Sequence, residues 1–140
     1  MISVELAKKL RTIGLSWTPR PGDRFTLLAP DLTGEVFTIS EMVVEAHEFS
    51  SGTVLGFNGT TEWALDSVDV DDALWLPRED QLRGLLGATF RSLVAHPPRY
   101  TVTTLSPSGL EQAFEAESVP DAYAAALLSL VAQSMDDALA

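Results

Sequence analysis

The stretch from residue 63 to 87, WALDSVDVDDALWLPREDQLRGLLG, constrains the fold of this chain more than any other part of the sequence. It contains two of the three tryptophans, a run of carboxylates, and Pro77, which suits a helix start because the first turn needs no N–H donor there. A leucine stripe at helical spacing follows, and Gly87 is typical of a helix end. The stretch therefore predicts a joint between a mostly β N-terminal half and an α/β C-terminal half. The leucines of the stripe, all expected to be buried, are Leu82, Leu85 and Leu86.

Before the joint, the pattern predicts one helix and a set of short strands. Ser3–Gly14 has apolar residues on one helical face, with Ser3 placed to cap the first turn and Gly14 to end the last. Turn-forming residues separate the strand-like runs, which are typical of an antiparallel meander with one face in water. We expect one or two helical turns within Thr60–Val68 and a short strand at Ala73–Leu76. The predicted meander strands are Arg24–Ala29, Glu35–Ser40, Met42–Phe49 and Thr53–Phe57.

After the joint, the pattern predicts a helix, three strands and a final helix. Ser118 caps that last helix, and Asp121, three residues later, completes a capping-box pattern. The predicted strands are Phe90–Ala95, Arg99–Leu105 and Leu110–Ala116. The buried face predicted for the last helix consists of Tyr123, Ala126, Leu127, Leu130 and Val131. A second apolar set on the same helix, expected to cover a neighbouring lobe or a second subunit, consists of Ala124, Leu128, Met135 and Leu139.

The predicted fold class is α+β: an antiparallel sheet with an N-terminal helix, followed by a helix–three-strand–helix unit. Residues 1–140 suit a single domain, with lobes at 1–76 and 77–140 that share a core. The helix–three-strand–helix order also occurs in double-stranded-RNA-binding domains, which need lysines at the start of the last helix to meet phosphates. Val119, Pro120 and Asp121 occupy that place here, so RNA binding is not expected.

The net charge of the chain favours some kinds of binding partner over others. Twenty acidic side chains stand against nine basic ones, a formal net charge of −11. The negative charge is spread along the sequence, since residues 1–70 carry −5 and residues 71–140 carry −6. Such a field repels phosphate backbones and attracts a basic partner, so we expect no nucleic-acid binding.

The sequence also limits compartment and redox chemistry. There is no cysteine, which excludes disulfides, thiolate metal sites and thiol nucleophiles. The first ten residues lack the leading basic region and the long apolar core of a signal peptide. No run of about 18 apolar residues is present, so we expect no membrane-spanning segment. The expected location is the cytoplasm.

Known motifs for catalysis and cofactor binding do not occur in the sequence. There is no G-x-x-x-x-G-K-[ST] phosphate loop, no G-x-G-x-x-G dinucleotide fingerprint and no G-x-S-x-G nucleophile elbow. The two histidines, His47 and His96, do not form an H-E-x-x-H zinc motif. The carboxylate run lacks the central glycine and the final glutamate of an EF-hand loop. We therefore name no catalytic residue, no metal ligand and no cofactor.

Two groups of residues remain as candidates for binding. The carboxylates of the joint form a solvated loop, a docking surface for a basic partner or, as a third alternative, a source of oxygen ligands for Ca²⁺ or Mg²⁺. The two tryptophans of the joint are core residues or, with a histidine on a predicted strand, the lining of a ligand pocket. These candidate binding residues are Asp66, Asp69, Asp71 and Asp72 for the first group, and Trp63, Trp75 and His47 for the second.

Several segments together resemble one protein family. They are GFNGTTEWALDSV and LWLPREDQLRGLLG, with ELAKKLR and GDRF near the N-terminus and DAYAAALL in the last helix. The chain resembles, over nearly its whole length, a family of small uncharacterised actinobacterial proteins that often carry the label "pilus assembly protein". Proteins of the pilus-assembly ATPase group have a P-loop ATPase domain, and this chain lacks the phosphate-binding lysine motif. The resemblance therefore implies no ATPase activity and brings no catalytic residues.

The sequence thus predicts a non-enzymatic adaptor or regulator that binds a protein partner through the acidic joint, Asp66 to Asp80. The alternative is a small-molecule-binding or hydrolytic protein whose pocket is lined by Trp63, Trp75 and His47. A third hypothesis is an immunity-type or antitoxin protein, whose acidity neutralises a basic toxin. The oligomeric state is left open by the sequence.

Overall fold

The computed structural model describes residues 1–29, 31, 34–40, 44–49, 52–57 and 67–139. In chain order, the helices are α1 (Val4–Thr12), α2 (Glu79–Leu86) and α3 (Val119–Leu139). The strands are β1 (Arg24–Leu27), β2 (Phe37–Thr38), β3 (Val44–Phe49), β4 (Gly52–Phe57), β5 (Ser67–Asp69), β6 (Ala73–Trp75), β7 (Phe90–His96), β8 (Arg99–Leu105) and β9 (Glu111–Ala116). These strands form three antiparallel sheets, in the orders β2-β1-β6, β3-β4-β5 and β7-β8-β9. The predicted α+β fold class, with its N-terminal helix and its helix–three-strand–helix unit, is confirmed.

The chain divides into two compact units, and each is built differently. Met1–Leu15 and Pro77–Ala140 form the first, here called the terminal unit. Ser16–Leu76 forms the second, here called the central unit. The division after residue 76 falls where the sequence predicts a lobe boundary, but α1 belongs with the C-terminal part of the chain.

The terminal unit packs its helices on one face of the sheet β7-β8-β9. α3 lies across β8 and β9, and α1 and α2 pack on α3. The N-terminal half of α3 is enclosed by these neighbours, since Ala122, Tyr123 and Ala124 are all buried. From β8, Val102 and Thr104 point towards the same core. Small residues on α3 allow this close approach of helix and sheet.

Two caps predicted from the sequence are present in the terminal unit. The Ser3 hydroxyl accepts a hydrogen bond from the Leu6 N–H at 3.3 Å, and the Ser118 hydroxyl accepts one from the Asp121 N–H at 3.3 Å. The carboxylate of Asp121 does not complete a local capping box. Its Oδ1 atom accepts a hydrogen bond from the Ser3 N–H at 2.7 Å instead, which joins the start of α1 to the start of α3.

The central unit contains the other two sheets. β1 lies between β2 and β6, and three of its residues in succession, Phe25, Thr26 and Leu27, are buried. A strand buried on both faces needs a hydrogen-bonded neighbour at each edge, because its unpaired backbone groups have no access to water. The aromatic rings of Phe25 and Phe37 stack at 5.4 Å between ring centres, which fixes the pairing of β1 with β2.

The predicted single meander of four strands is wrong. β1 and β2 pair with each other, and β3 and β4 pair with each other, but the two pairs belong to different sheets. β6 follows β1 by more than forty residues in the chain and pairs with it antiparallel, with Thr26 opposite Leu74. β6, in which Ala73 and Leu74 are buried, is therefore the second hydrogen-bonded neighbour that the buried strand β1 requires.

Local predictions around the joint need three corrections. The predicted burial of Leu85 is wrong: this side chain is 42 % exposed, and the buried residues of the short helix α2 are Leu82 and Leu86. Pro77 precedes the N-cap residue Arg78 and so lies outside the helix. The helical turns predicted within Thr60–Val68 do not reach the end of that range, since Ser67–Asp69 is strand β5; residues 58–66 lie outside the described part of the chain.

Candidate functional site

The carboxylates that follow β5 form a tight turn. Asp69 is the last residue of β5, and Asp71 and Asp72 lie in a single turn of 3-10 helix at Val70–Asp72. The Asp69 Oδ1 atom accepts a hydrogen bond from the Asp71 N–H at 2.9 Å, so the side chain of Asp69 folds back on its own backbone. Asp71 and Asp72 are exposed and Asp69 is half-buried. We call these three residues the acidic turn; Asp66 lies outside the described residues.

The acidic turn is fixed to the body of the central unit at its far end. The Asp72 carbonyl oxygen accepts a hydrogen bond from the Leu28 N–H at 2.9 Å. The next two residues, Ala73 and Leu74, are 3 % and 1 % exposed and begin β6. The backbone that carries the two exposed carboxylates is therefore anchored by hydrogen bonds and by the buried strand that follows it. Because the backbone of this turn is already ordered, less backbone entropy is lost when a partner binds.

The negative charge of the protein is concentrated in the central unit. Residues 16–76 contain eleven acidic and two basic side chains, a formal charge of −9. The terminal unit contains nine acidic and seven basic side chains, a formal charge of −2. The even spread along the sequence hides this difference for two reasons. Residues 1–15, which carry +2, pack with the C-terminal part of the chain, and Asp71 and Asp72 belong to the central unit.

The remaining carboxylates of the joint belong to the terminal unit. Asp80 lies in the first turn of α2 and accepts hydrogen bonds from the Arg78 Nε atom at 3.1 Å and from the Arg78 Nη2 atom at 3.4 Å. This contact holds the pKa of Asp80 below its ordinary value. The predicted acidic joint is therefore divided between the two units, and its Asp80 charge is compensated by a neighbouring guanidinium.

Trp75 is part of an aromatic cluster in the central unit. Its ring stacks on that of Trp17 at 6.3 Å between centres and 6° between planes, and Trp17 in turn contacts Phe25 at 5.8 Å. The Trp17 Nε1–H group donates a hydrogen bond to the Asp23 carboxylate at 2.9 Å. The Trp75 Nε1–H group is buried and has no hydrogen-bond acceptor among the described residues. Trp63, the other tryptophan of the predicted pocket, lies outside the described residues.

His47 occupies a central position of β3. It is paired with Val54 of β4, and Val54 is paired with Asp69 of β5. Two strand spacings separate the backbones of His47 and Asp69, a distance of about 10 Å. Trp75 belongs to the other sheet of the central unit, so strand pairing does not bring it into this row. The predicted grouping of Trp75 with His47 therefore has no support from the sheet topology.

Two residues beside the predicted site residue Trp75 could not be assigned to its surroundings from the sequence: Trp17, which stacks on it, and Asp23, which binds Trp17. Asp23 is 4 % exposed and accepts hydrogen bonds from Trp17 and from the Arg20 N–H at 3.0 Å. Trp17 and Trp75, far apart in the chain, are brought together because β1 and β6 are paired. A proline- and glycine-containing connector at 18–22 gives only a turn signal, and nothing in it indicates a buried carboxylate.

No group of three or more histidine, aspartate or glutamate side chains in the described part of the chain is arranged to hold a metal ion. No helix within the described ranges is both long enough and apolar enough to cross a membrane.

The chain matches no protein-family model, no curated protein and no solved structure.

Proposed function

We propose that the protein is a non-enzymatic adaptor or regulator that binds a basic protein partner through the central unit, with the acidic turn at the contact. The observation that carries this proposal is the charge of −9 on residues 16–76, together with two exposed carboxylates on an anchored turn. Asp66 precedes the turn in the sequence and belongs to the same proposed surface.

Long-range electrostatics favours this mode of binding. A surface of one sign raises the rate of encounter with a partner of the opposite sign and repels partners of the same sign. The effect falls off over about 8 Å at physiological ionic strength, so binding weakens as salt is added. Binding through a mainly apolar interface would instead become stronger as salt is added.

The first experiment is an affinity pull-down of the tagged protein from a lysate of its own cells, at low and at high salt, read by mass spectrometry. One basic protein that is captured at low salt and lost at high salt supports the proposal. An acidic or neutral partner, or one retained equally at high salt, contradicts it. A captured basic toxin, or a toxin gene beside the gene for this protein, would assign this protein to the immunity or antitoxin class.

The acidic turn is then tested with the purified partner. Replacing Asp69, Asp71 and Asp72 together by asparagine keeps the side-chain shape and the oxygen that caps the turn. If each exposed charge contributes about 0.5 to 1 kcal/mol, the Kd rises by about ten- to a hundredfold. The matched control replaces three glutamates of β9 and its flank by glutamine, which changes the net charge equally in the terminal unit. The control residues are Glu111, Glu115 and Glu117, all exposed.

An equal loss of affinity in both triple variants would show that only net charge matters. An unchanged Kd in the aspartate variant would show that the interface lies elsewhere. Thermal melting of both variants checks that each one folds, because all six side chains lie at least partly in solvent.

One observation favours the alternative function of small-molecule binding or hydrolysis. The buried Trp75 Nε1–H group lacks an acceptor among the described residues, and buried donors are ordinarily satisfied. A ligand carbonyl or hydroxyl would satisfy it. If no partner is captured at either salt concentration, a metabolite screen read by tryptophan fluorescence tests this alternative, and a Trp75→Phe variant should lose the response.

A further inference from the structure

The strand β7 is an open edge of the sheet in the terminal unit. It pairs with β8 and with no other strand of the described ranges. Half of its backbone N–H and C=O groups therefore point away from the sheet. An edge of this kind accepts another extended segment, because the backbone groups of that segment complete the hydrogen bonds.

The helical layer stops short of β7. α3 lies across β8 and β9, and the side chains in the middle of β7 are left uncovered. Leu93 is 36 % exposed and lies opposite the buried Val102, on the side of the sheet that faces α3. Val94 is 51 % exposed and lies on the other side. Apolar surface is therefore exposed on both faces of this one strand.

The two edges of this sheet differ in charge. β9 presents Glu111 and Glu115 to solvent, and Glu117 follows directly. Carboxylates of this kind protect an edge against pairing with a like strand. β7 contains no carboxylate, and its one charged residue, Arg91, lies at the bulge between Phe90 and Ser92. Of the two edges, β7 is the one at which a second copy meets no carboxylate on the facing strand, so the local repulsion between two copies is smaller there than at β9.

We propose that β7 pairs antiparallel with β7 of a second copy of this chain. The resulting dimer has one continuous sheet of six strands, three from each copy. A two-fold axis through Leu93 places Leu93 beside its own copy and Ser92 beside Val94. An axis through Val94 places Val94 beside its own copy and Leu93 beside Ala95. Both arrangements cover the exposed apolar side chains, and neither sets Arg91 opposite itself. The strand thus has the apolar centre that a symmetric interface requires.

This dimer does not depend on the proposed function, and its salt dependence is the opposite. Two copies that each carry −11 repel one another, so added salt should strengthen the dimer by screening that repulsion. Binding of a basic partner to the central unit weakens with salt. The two proposals can therefore fail separately.

Sedimentation velocity at protein concentrations from roughly 10 to roughly 500 µM tests the dimer, a range suited to a small interface. We expect a dimer that increases with concentration in the wild-type chain and a Kd at least about tenfold higher in Val94→Lys, because a lysine on an edge strand opposes pairing. Val94→Thr, which keeps a β-branched side chain, is the matched control and should dimerise. A wild-type chain that is monomeric throughout, or a Val94→Lys variant that dimerises equally well, would overturn the proposal.

Hydrogen exchange on the wild-type protein gives a second measurement that needs no variant. Amides of β7 should exchange more slowly at the higher protein concentration, whereas those of β9, the protected edge, should not change. Equal protection at both concentrations would also overturn the proposal, and slower exchange in β9 instead would place the interface at the wrong edge.

Discussion

Truncation of Leu82 to alanine tests how the terminal unit is held together, because the same helix supplies its own control. Leu82 is 0 % exposed on α2, at the side that packs on α3. Leu85, on the same helix, is 42 % exposed. Both substitutions replace leucine by alanine inside one helix, so the change in helix propensity is nearly equal. The difference between the two free energies of unfolding therefore reports burial.

The expected magnitude follows from the exposure of the two side chains. A buried leucine replaced by alanine loses its transfer free energy and leaves a cavity, which together cost about 2 to 5 kcal/mol. Truncation of Leu85 creates no closed cavity, and it removes little buried apolar area because this side chain is already partly in solvent. It is therefore expected to lower the free energy of unfolding by about 1 kcal/mol or less. Leu82→Ala should therefore lower the free energy of unfolding by roughly 2 kcal/mol more than Leu85→Ala.

Urea denaturation read by two signals is the assay. The three helices of the described residues all lie in the terminal unit, so far-ultraviolet circular dichroism follows that unit. The tryptophans of the sequence, at positions 17, 63 and 75, all lie in the central unit, so their fluorescence follows the other. The Leu82 variant should shift the dichroism midpoint. An equal shift in both variants would refute the assignment of Leu82 to the core and of Leu85 to the solvent.

Two further predictions concern Tyr123 and Asp121. Burial raises the pKa of Tyr123, so the unfolded state loses this proton first, and the free energy of unfolding should fall as the pH rises above about 10. Tyr123→Phe should remove part of that fall, and an unchanged alkaline profile would contradict the assignment. Asp121→Ala breaks the 2.7 Å hydrogen bond to the Ser3 N–H and should cost about 1 to 3 kcal/mol, with faster hydrogen exchange at the start of α1. Glu117→Ala, at an exposed carboxylate nearby in sequence, should leave that exchange unchanged.

The helices of this protein can be predicted from the sequence because their signals are local. Ser3 and Ser118 cap helices in the structure, and Gly14 and Gly87 adopt positive φ angles of 110° and 56° at helix ends. Each signal needs only a few neighbouring residues. The stripe Leu82–Leu86 was sufficient to place α2, although the stripe could not show that Leu85 faces water. In a helix of eight residues, two leucines cover the contact with α3.

The division of the strands among sheets could not be predicted, because it depends on contacts between distant parts of the chain. β1 pairs with β6 across an interval that contains all three strands of another sheet, β3, β4 and β5. Each of these short strands has the alternating or apolar pattern that suits several partners. The burial of three successive residues in β1, Phe25 to Leu27, identifies it as a central strand, and this burial is seen only in the structure.

The sequence was sufficient to name the acidic residues of the candidate site, but it could not predict the contacts they make or the unit to which they belong. The carboxylates Asp69, Asp71 and Asp72 are evident in the sequence, but the folding of the Asp69 side chain onto the turn is a matter of geometry. The concentration of charge in residues 16–76 depends on α1 joining the other unit. That assignment rests on the packing of α1 on α3 and on the hydrogen bond from Ser3 to Asp121, 118 positions apart.

The assembly of the terminal unit from two separated segments has a consequence for folding during synthesis. Of the described elements, α1 leaves the ribosome before all the others, and the helix on which it packs, α3, leaves after all the others. The central unit, encoded between them, is complete while α2 and the sheet β7-β8-β9 are still being translated. The apolar residues Ala7 and Leu10 of α1 therefore remain without their native partner for most of translation. Ribosome-bound chains in which a linker after residue 76 carries that residue beyond the exit tunnel should already show the fluorescence of the folded central unit, while α1 remains sensitive to protease.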